Sequence, residues 1–260
     1  GVFKMREVVI DTETTGLITN YRDSLYDSHK FPYIVQLSWL LFDTDSHIIV
    51  DVSDHILKVP NNVEISEESS KIHGITKAIS MEKGEHPKIV LRKFANVLTQ
   101  ADRCVCHNFR FDKRMVRIEF IRNKMMDYIY KGKQTWYCTM YNSTNICKIP
   151  RYDKYIHARQ MLEKCKQTFD DRYKLAVRIN YIDELDTLIE KLKSTEKVKY
   201  KPPKLIELHK FLFGTEPNNL HNSMIDVYVC FRCYYKIEYK SDIIKMYPEL
   251  NTHYNKVCGL

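Results

Sequence analysis

Asp11-Thr12-Glu13 closes the first apolar run of the chain. If that run is a strand, alternate residues point to one face, so the two carboxylates project together. Neighbouring carboxylates repel unless a cation joins them, and hard divalent ions such as Mg²⁺ prefer oxygen ligands of this type. A solvated strand end would carry the same triplet, so the pair gains meaning only from what accompanies it. Thr14-Thr15-Gly16-Leu17 follows. This is a turn of small groups whose hydroxyls and backbone N–H groups can approach a phosphate. Leu17 can either wedge against a base or simply pack. Two further acids are distant in sequence. Asp112 follows His107-Asn108-Phe109-Arg110-Phe111 and is expected to begin a helix, where it can serve as cap, as ligand or as both. Asp226 lies five residues after His221. Five helical residues turn the direction by ~140° net, so both cannot share a helical face. His221 is therefore expected in the loop entering the helix, Asp226 in its first turn, and Asn222 or Ser223 at the cap. Alone, His221 would be a surface or core histidine.

These residues need elements to hold them. Residues 6–12 read as a buried strand. Residues 33–43 form a second β-rich run, and a turn at 43–46 leads to a third at 47–58, a meander. Residues 17–30 are a polar loop. A short helix over 65–72 ends at His73-Gly74, where Gly74 suits a left-handed position. Residues 87–100 are amphipathic, with Ile89, Val90, Phe94, Val97 and Leu98 on one face. Cys104-Val105-Cys106 is a short strand with both thiols to one buried side, 112–125 a helix and 135–140 another strand. A helix over 204–213 precedes the one carrying Asp226. Alternating strands and helices after a meander predict an α/β domain.

Residues 151–201 depart from this pattern. They carry thirteen Lys and Arg against nine Asp and Glu and contain no strand-like run. Apolar residues at helical spacing, Tyr155, Ala158, Leu162, Cys165 and Phe169, then Ile182, Leu185, Ile189 and Leu192, predict a helical hairpin or arm. The expected organisation is one domain over 5–240, interrupted by this charged helical insertion, with 241–260 as a C-terminal tail.

The 260 residues carry a formal net charge of +8, which suits a polyanionic partner. There is no run of ~18 apolar residues, so no membrane span or membrane partner is expected. The first residues lack the apolar core of a secretory signal. Eight cysteines without such a signal predict reduced thiols in an intracellular, cytosol-like compartment, cytosol or nucleus. Cys230-x-x-Cys233 lacks the second ligand pair that a structural zinc site needs.

In order along the chain, three segments resemble the motifs of the DnaQ-like exonucleases. Val9-Ile10-Asp11-Thr12-Glu13-Thr14-Thr15-Gly16-Leu17 resembles the first, His107-Asn108-Phe109-Arg110-Phe111-Asp112 the second and His221-Asn222-Ser223-Met224-Ile225-Asp226 the third. The histidine five residues before the last acid marks the DEDDh branch. Lys71-Ile72-His73-Gly74-Ile75-Thr76 and Leu205…Leu208…Leu212-Phe213-Gly214 are similar to segments of the same branch. Bacterial proofreading subunits and Trex-type nucleases belong to this family.

The resemblance implies an RNase H-like mixed sheet flanked by helices and a 3′→5′ exonuclease that releases nucleoside 5′-monophosphates, in proofreading or repair. It implies two Mg²⁺ or Mn²⁺ ions. Asp11, Glu13 and Asp226 would hold the first, Asp11 would bridge to the second and Asp112 would hold that one. His221 would be the general base, and Thr14, Leu17, His73, Asn108 and Phe111 would surround the terminal nucleotide, although Phe111 equally suits the core. The partner implied is nucleic acid, with a polymerase or other replication protein as a second class. Oligoribonuclease-like members typically carry Met where Thr14 stands, which favours DNA over RNA. The alternatives are an exoribonuclease of the same chemistry and a non-catalytic module that binds nucleic acid or a polymerase.

Overall fold

The computed structural model describes residues 5–130, 134–151, 155, 158–160, 172–194 and 199–258. Its central strand β1 (Arg6–Thr14) forms around Val8, Val9 and Ile10, all sealed from solvent. β-Branched side chains suit a strand packed on both faces. β2 (Ile34–Asp43) lies antiparallel to β1 and is buried along its whole length. β3 (Ile48–Ile56) lies antiparallel to β2 at the edge, with every second residue exposed over most of its length. β4 (Arg103–Cys106) and β5 (Thr135–Cys138) add on the other side of β1, both parallel. The order β3-β2-β1-β4-β5 gives a mixed five-stranded sheet, in keeping with the expected α/β class.

Helix α1 (Glu67–His73) is capped by Ser66, whose hydroxyl accepts from the Ser69 N–H, and ends at Gly74 with φ 76°. This is the left-handed stop that the sequence predicts. α2 (Lys77–Lys83) follows. α3 (Pro87–Gln100) and α4 (Phe109–Arg122) cover one face of the sheet. There Val8, Ile10 and Trp39 meet Phe94, Met115 and Ile118 in the main core, each removed from water. Cys104 and Cys106 point into this core together, as strand alternation requires. α4 begins three residues before the predicted start at 112, because Asn108 adopts a left-handed conformation (φ 83°) and turns the chain directly into the helix.

One unit comprises the residues up to Asn142 together with those from Lys204 on; the other comprises 143–203. In the second, α5 (Arg172–Lys193) buries Ile182 and Ile189, so its predicted stripe is apolar and covered. Arg159 pairs with Asp186. Leu162, Cys165 and Phe169 of the expected first arm lie outside the described residues.

The first unit resumes with α6 (Leu205–Phe213) and α7 (Ser223–Tyr239). α7 packs on the sheet face opposite α3 and α4, where the Phe42 ring lies 5.1 Å from that of Phe231. Residues 241–258, expected as a tail, contain α8 (Pro248–Cys258), and Arg232 of α7 binds Asp242 through both carboxylate oxygens at 3.0 and 2.8 Å. Among the described residues no helix is long and apolar enough to cross a membrane.

Candidate active site

Alternation along β1 decides where each acid points. Glu7, Val9, Asp11 and Glu13 face α7, as the bond from the Tyr234 hydroxyl to Glu7 shows. Thr12 faces the other side, where its hydroxyl donates to Asp112 Oδ1 at 2.9 Å. β1 thus supplies two acids directly and fixes a third through the residue between them. Asp112 does not cap α4; it sits within the first turn and is buried. Glu13 is the last regular position of β1, since the register with β2 shifts between Glu13 and Thr14.

The third segment arrives with α7. Asn222 caps it, accepting from the N–H groups of Met224 and Ile225, and Asp226 occupies the first turn, as predicted. His221 stands in the entering loop with φ 74°. Its backbone N–H donates to Asp226 Oδ2 at 3.1 Å, which ties the loop to the helix. The Ser223 hydroxyl donates to the Asp11 carbonyl at 2.7 Å, and the Ser223 N–H donates to Gln36 on β2. Ser223 and Gln36 therefore lock α7 onto β1 beside the acids. Neither stands out in the sequence as part of a site: Ser223 reads there only as a possible cap, and Gln36 as one polar residue of an apolar strand. Thr12 could have been found, because the alternation that pairs Asp11 with Glu13 sends the residue between them to the opposite face.

Glu13, His221 and Asp226 each offer a ligand atom within 4.8 Å of the others, and His221 is exposed. Burial pushes the Asp11 carboxyl up to about 7 against a bond from Ser223. Burial, then Asp11, raises Asp226 to about 8 against the His221 N–H. Glu13 rises to about 9 through burial and then through Asp11, Asp226 and Asp112. Asp112 is held well above the usual carboxylate range by burial and then by Asp11. Asp11 Oδ2 and Asp226 Oδ1 are buried without a hydrogen-bond partner.

Other buried acids are treated differently. Glu7 lies 3.6 Å from Arg103, Asp43 3.2 Å from Arg6, Glu119 2.6 Å from Arg122 and Asp242 2.8 Å from Arg232. Glu7 also leaves one oxygen bare, but its charge is answered by Arg103 and by the hydroxyls of Tyr234 and Tyr239. The charges that act on Glu13, Asp112 and Asp226 are those of carboxylates in this same cluster, Asp11 first. A buried charge needs a counter-charge or must lose its own. An all-oxygen donor set with bare buried oxygens fits a hard divalent cation. Cys230 and Cys233, by contrast, are buried within α7 and join no metal-ligand group among the described residues.

The residues expected around a nucleotide fall into two groups. Leu17 is 82% exposed on the turn after β1, and Asn108 is half-buried with no side-chain capping bond. Thr14 and His73 are turned inward. The Thr14 hydroxyl donates to the Gly16 carbonyl at 2.6 Å. The His73 ring accepts from the Ile75 N–H at Nδ1, so its Nε2 donates to the Thr14 carbonyl at 3.1 Å. Both ring nitrogens are used in joining α1 to the turn, and burial lowers the pKa of the ring. Phe111 is half-buried against the main core.

Residues 8–166 match the family model RNase_T, described as exonuclease. No curated protein matches the chain. Among solved structures, the chain is similar to E. coli exonuclease I in complex with a dT13 oligonucleotide. The TM-score is 0.57 at 16% identity, covering 96% of this chain and 44% of that one. The complex of the E. coli enzyme with a 5cy-dT13 oligonucleotide gives 0.56 at 16% identity, covering 96% and 43%. The chain thus spans less than half of these structures. The likeness shows that the sheet and its flanking helices form the RNase H-like exonuclease fold.

Proposed function

The chain belongs to the RNase_T exonuclease family, and from that premise we propose that it is a divalent-metal-dependent 3′→5′ exonuclease acting on DNA. The observation that carries the reading is the four-acid cluster, which two segments of one unit bring to β1 and which, among the described residues, lacks the arginine that accompanies the other buried acids. Two cations held by Asp11, Glu13, Asp112 and Asp226 would supply the positive charge that in-line displacement at phosphorus demands.

The chain's own groups do the rest. Thr12 and Ser223 fix two of the acids in place through bonds from their hydroxyls. His221, exposed beside Glu13 and Asp226, takes the proton of the attacking water at a ring nitrogen, a task for which histidine is the usual choice. Leu17 meets the terminal base, and Asn108 and Phe111 border the same nucleotide. Thr14 and His73 hold the turn that carries Leu17. DNA is favoured over RNA by Thr14 and by the oligonucleotide complexes of E. coli exonuclease I, the enzyme whose fold this chain shares. Proofreading or repair, with a polymerase as partner, is the setting such an activity suits.

The test is digestion of 3′- and 5′-labelled single-stranded DNA, duplex DNA and RNA side by side in Mg²⁺. A 3′ label should be released at once as mononucleotide while the 5′-labelled strand shortens stepwise. Excess EDTA should stop both. Full activity in EDTA would refute the metal assignment, immediate release from the 5′ end the polarity, and a large preference for RNA the substrate.

A further inference from the structure

One side of α4 carries Arg110, Lys113, Arg114 and Arg117, spaced so that neighbours lie one turn apart or closer. With Tyr21 and Leu25 of the loop after β1 they line a cavity of about 170 Å³. The guanidinium groups of Arg110 and Arg114 each lie 5.8 Å from the centre of the Tyr21 ring. The Lys113 ammonium lies 5.1 Å over Trp136. The groove thus sets cations around one ring, Tyr21, with Trp136 beneath Lys113.

The cations of this stripe are unmatched. Three surface lysines on other helices have acids beside them, Lys71 with Glu67, Lys193 with Glu190 and Lys210 with Glu216. Like charges at helical spacing oppose one another, yet Arg110, Lys113 and Arg117 form no ion pair among the described residues. Arg114 has a separate duty. It donates to the Asp23 carbonyl and lies 5.0 Å from the Phe31 ring, so it pins the loop that carries Tyr21.

The groove shares the first turn of α4 with Asp112. Arg110 lies two residues before Asp112 in the first turn of α4. The Tyr21 hydroxyl, shifted upward mainly by burial, also feels Arg110, Arg114 and the Asp112 carboxyl. Unpaired cations beside an exposed ring suit a polynucleotide strand: phosphates for the cations and a base face for Tyr21.

We infer that this groove is the track for the strand upstream of the scissile nucleotide, with phosphates on Arg110, Lys113 and Arg117 and one base stacked on Tyr21. The inference rests on the exonuclease reading and adds a surface that the metal site does not contain. It concerns single-stranded nucleic acid, whose backbone is common to DNA and RNA.

The test compares the wild type with the triple variant Arg110→Gln, Lys113→Gln, Arg117→Gln and, separately, with Tyr21→Ala. Binding of a fluorescein-labelled single-stranded 20-mer is followed by anisotropy in EDTA, over a range of salt. In the triple variant Kd should rise by about 10- to 100-fold, and the slope of log K against log salt should shrink by about 2, the value for three phosphate contacts on a single strand. Tyr21→Ala should raise Kd by about tenfold with the salt slope retained, because stacking releases no counterions. In Mg²⁺ the ratio of kcat/KM for the 20-mer to that for a dinucleotide should fall in both variants.

Unchanged Kd and salt slope in the triple variant would overturn the inference and leave the stripe for an acidic protein partner. An equal loss on the 20-mer and the dinucleotide would overturn it too, by placing the effect at the acids. If the triple variant lost binding and salt slope as expected but the wild type cleaved nothing, the exonuclease reading would fail and the groove would stand as a strand-binding site. If the wild type cleaved and the triple variant bound as tightly, the reverse would hold.

Discussion

Asp226→Asn separates the cost of the site from its use. Glu13 and Asp226 offer oxygens within 4.8 Å of each other. At an effective dielectric constant of about 20 that separation is a repulsion of about 3 kcal/mol when both are ionised. Glu13 is half-exposed, so solvent screening reduces the figure to about 1–2 kcal/mol. Asparagine keeps an oxygen for the His221 N–H and turns an N–H toward the remaining acids, where Asp226 Oδ1 now has no partner. In EDTA at pH 9, where Asp226 is ionised and Glu13 is losing its proton, the variant should therefore melt higher than the wild type, by about 3–6 °C for a chain of this size. The sign follows from the proton balance. Asp11, Asp226 and Glu13 retain protons in the folded protein up to about 7, 8 and 9, whereas the unfolded chain releases them near pH 4. Metal-free stability is thus full below about pH 4 and is lost as pH rises through these folded values. The variant's advantage should appear over that window and vanish in acid. Mg²⁺ should raise the wild-type Tm at pH 8 and have little effect on the variant, which should also lose nuclease activity. Calorimetry with and without Mg²⁺ across pH 4–9 measures all of this. A variant that melts lower in EDTA, or that gains as much from Mg²⁺ as the wild type, would refute the idea of four acids waiting for a cation.

The remaining predictions touch single bonds. His221→Ala should lower single-turnover rates by ~10²–10⁴, the range for general acid–base catalysis, with strand binding little changed; lost binding at a normal rate would remove His221 from that role. Thr12→Val takes from Asp112 a buried charge-assisted bond worth about 1.5–3 kcal/mol. Activity should fall at least about tenfold and the Mg²⁺ needed for half-activity should rise, so a magnesium titration indistinguishable from wild type would count against Thr12 as a positioning residue. Asp242→Asn leaves Arg232 buried without its counter-charge, their side chains being 7% and 9% exposed. Since removing one partner of a buried pair costs about 3–5 kcal/mol, the urea midpoint should drop clearly, and an unchanged midpoint would mean that the pair does not hold residues 241–258 to α7.

What was legible in the sequence is what depends on local geometry. Period-two alternation put Asp11 and Glu13 on one face, the helical angle placed His221 in the loop before Asp226, and Gly74 stopped α1 in the left-handed conformation. The start of α4 was not legible, because no local pattern announces that Asn108, a non-glycine residue, takes positive φ. His73, which the family resemblance places at the nucleotide, has both its nitrogens bonded to Thr14 and Ile75, and only the folded chain brings Thr14 to it. The same holds for the bonds of Ser223 to Asp11 and Gln36, which join residues about two hundred positions apart. The deepest information of this kind is comparative. Sequence alone presents Glu7, Asp11, Glu119 and Asp226 as similar acids in apolar surroundings. The fold gives Arg103 to Glu7 and Arg122 to Glu119, whereas among the described residues Asp11 and Asp226 form no ion pair and Asp11 raises Asp226. A chain that can supply an arginine to a buried acid four times over has no packing reason to omit one at β1. On the proposed reading, bound cations supply the positive charge at that place, and the exposed histidine at its rim is left free to move a proton.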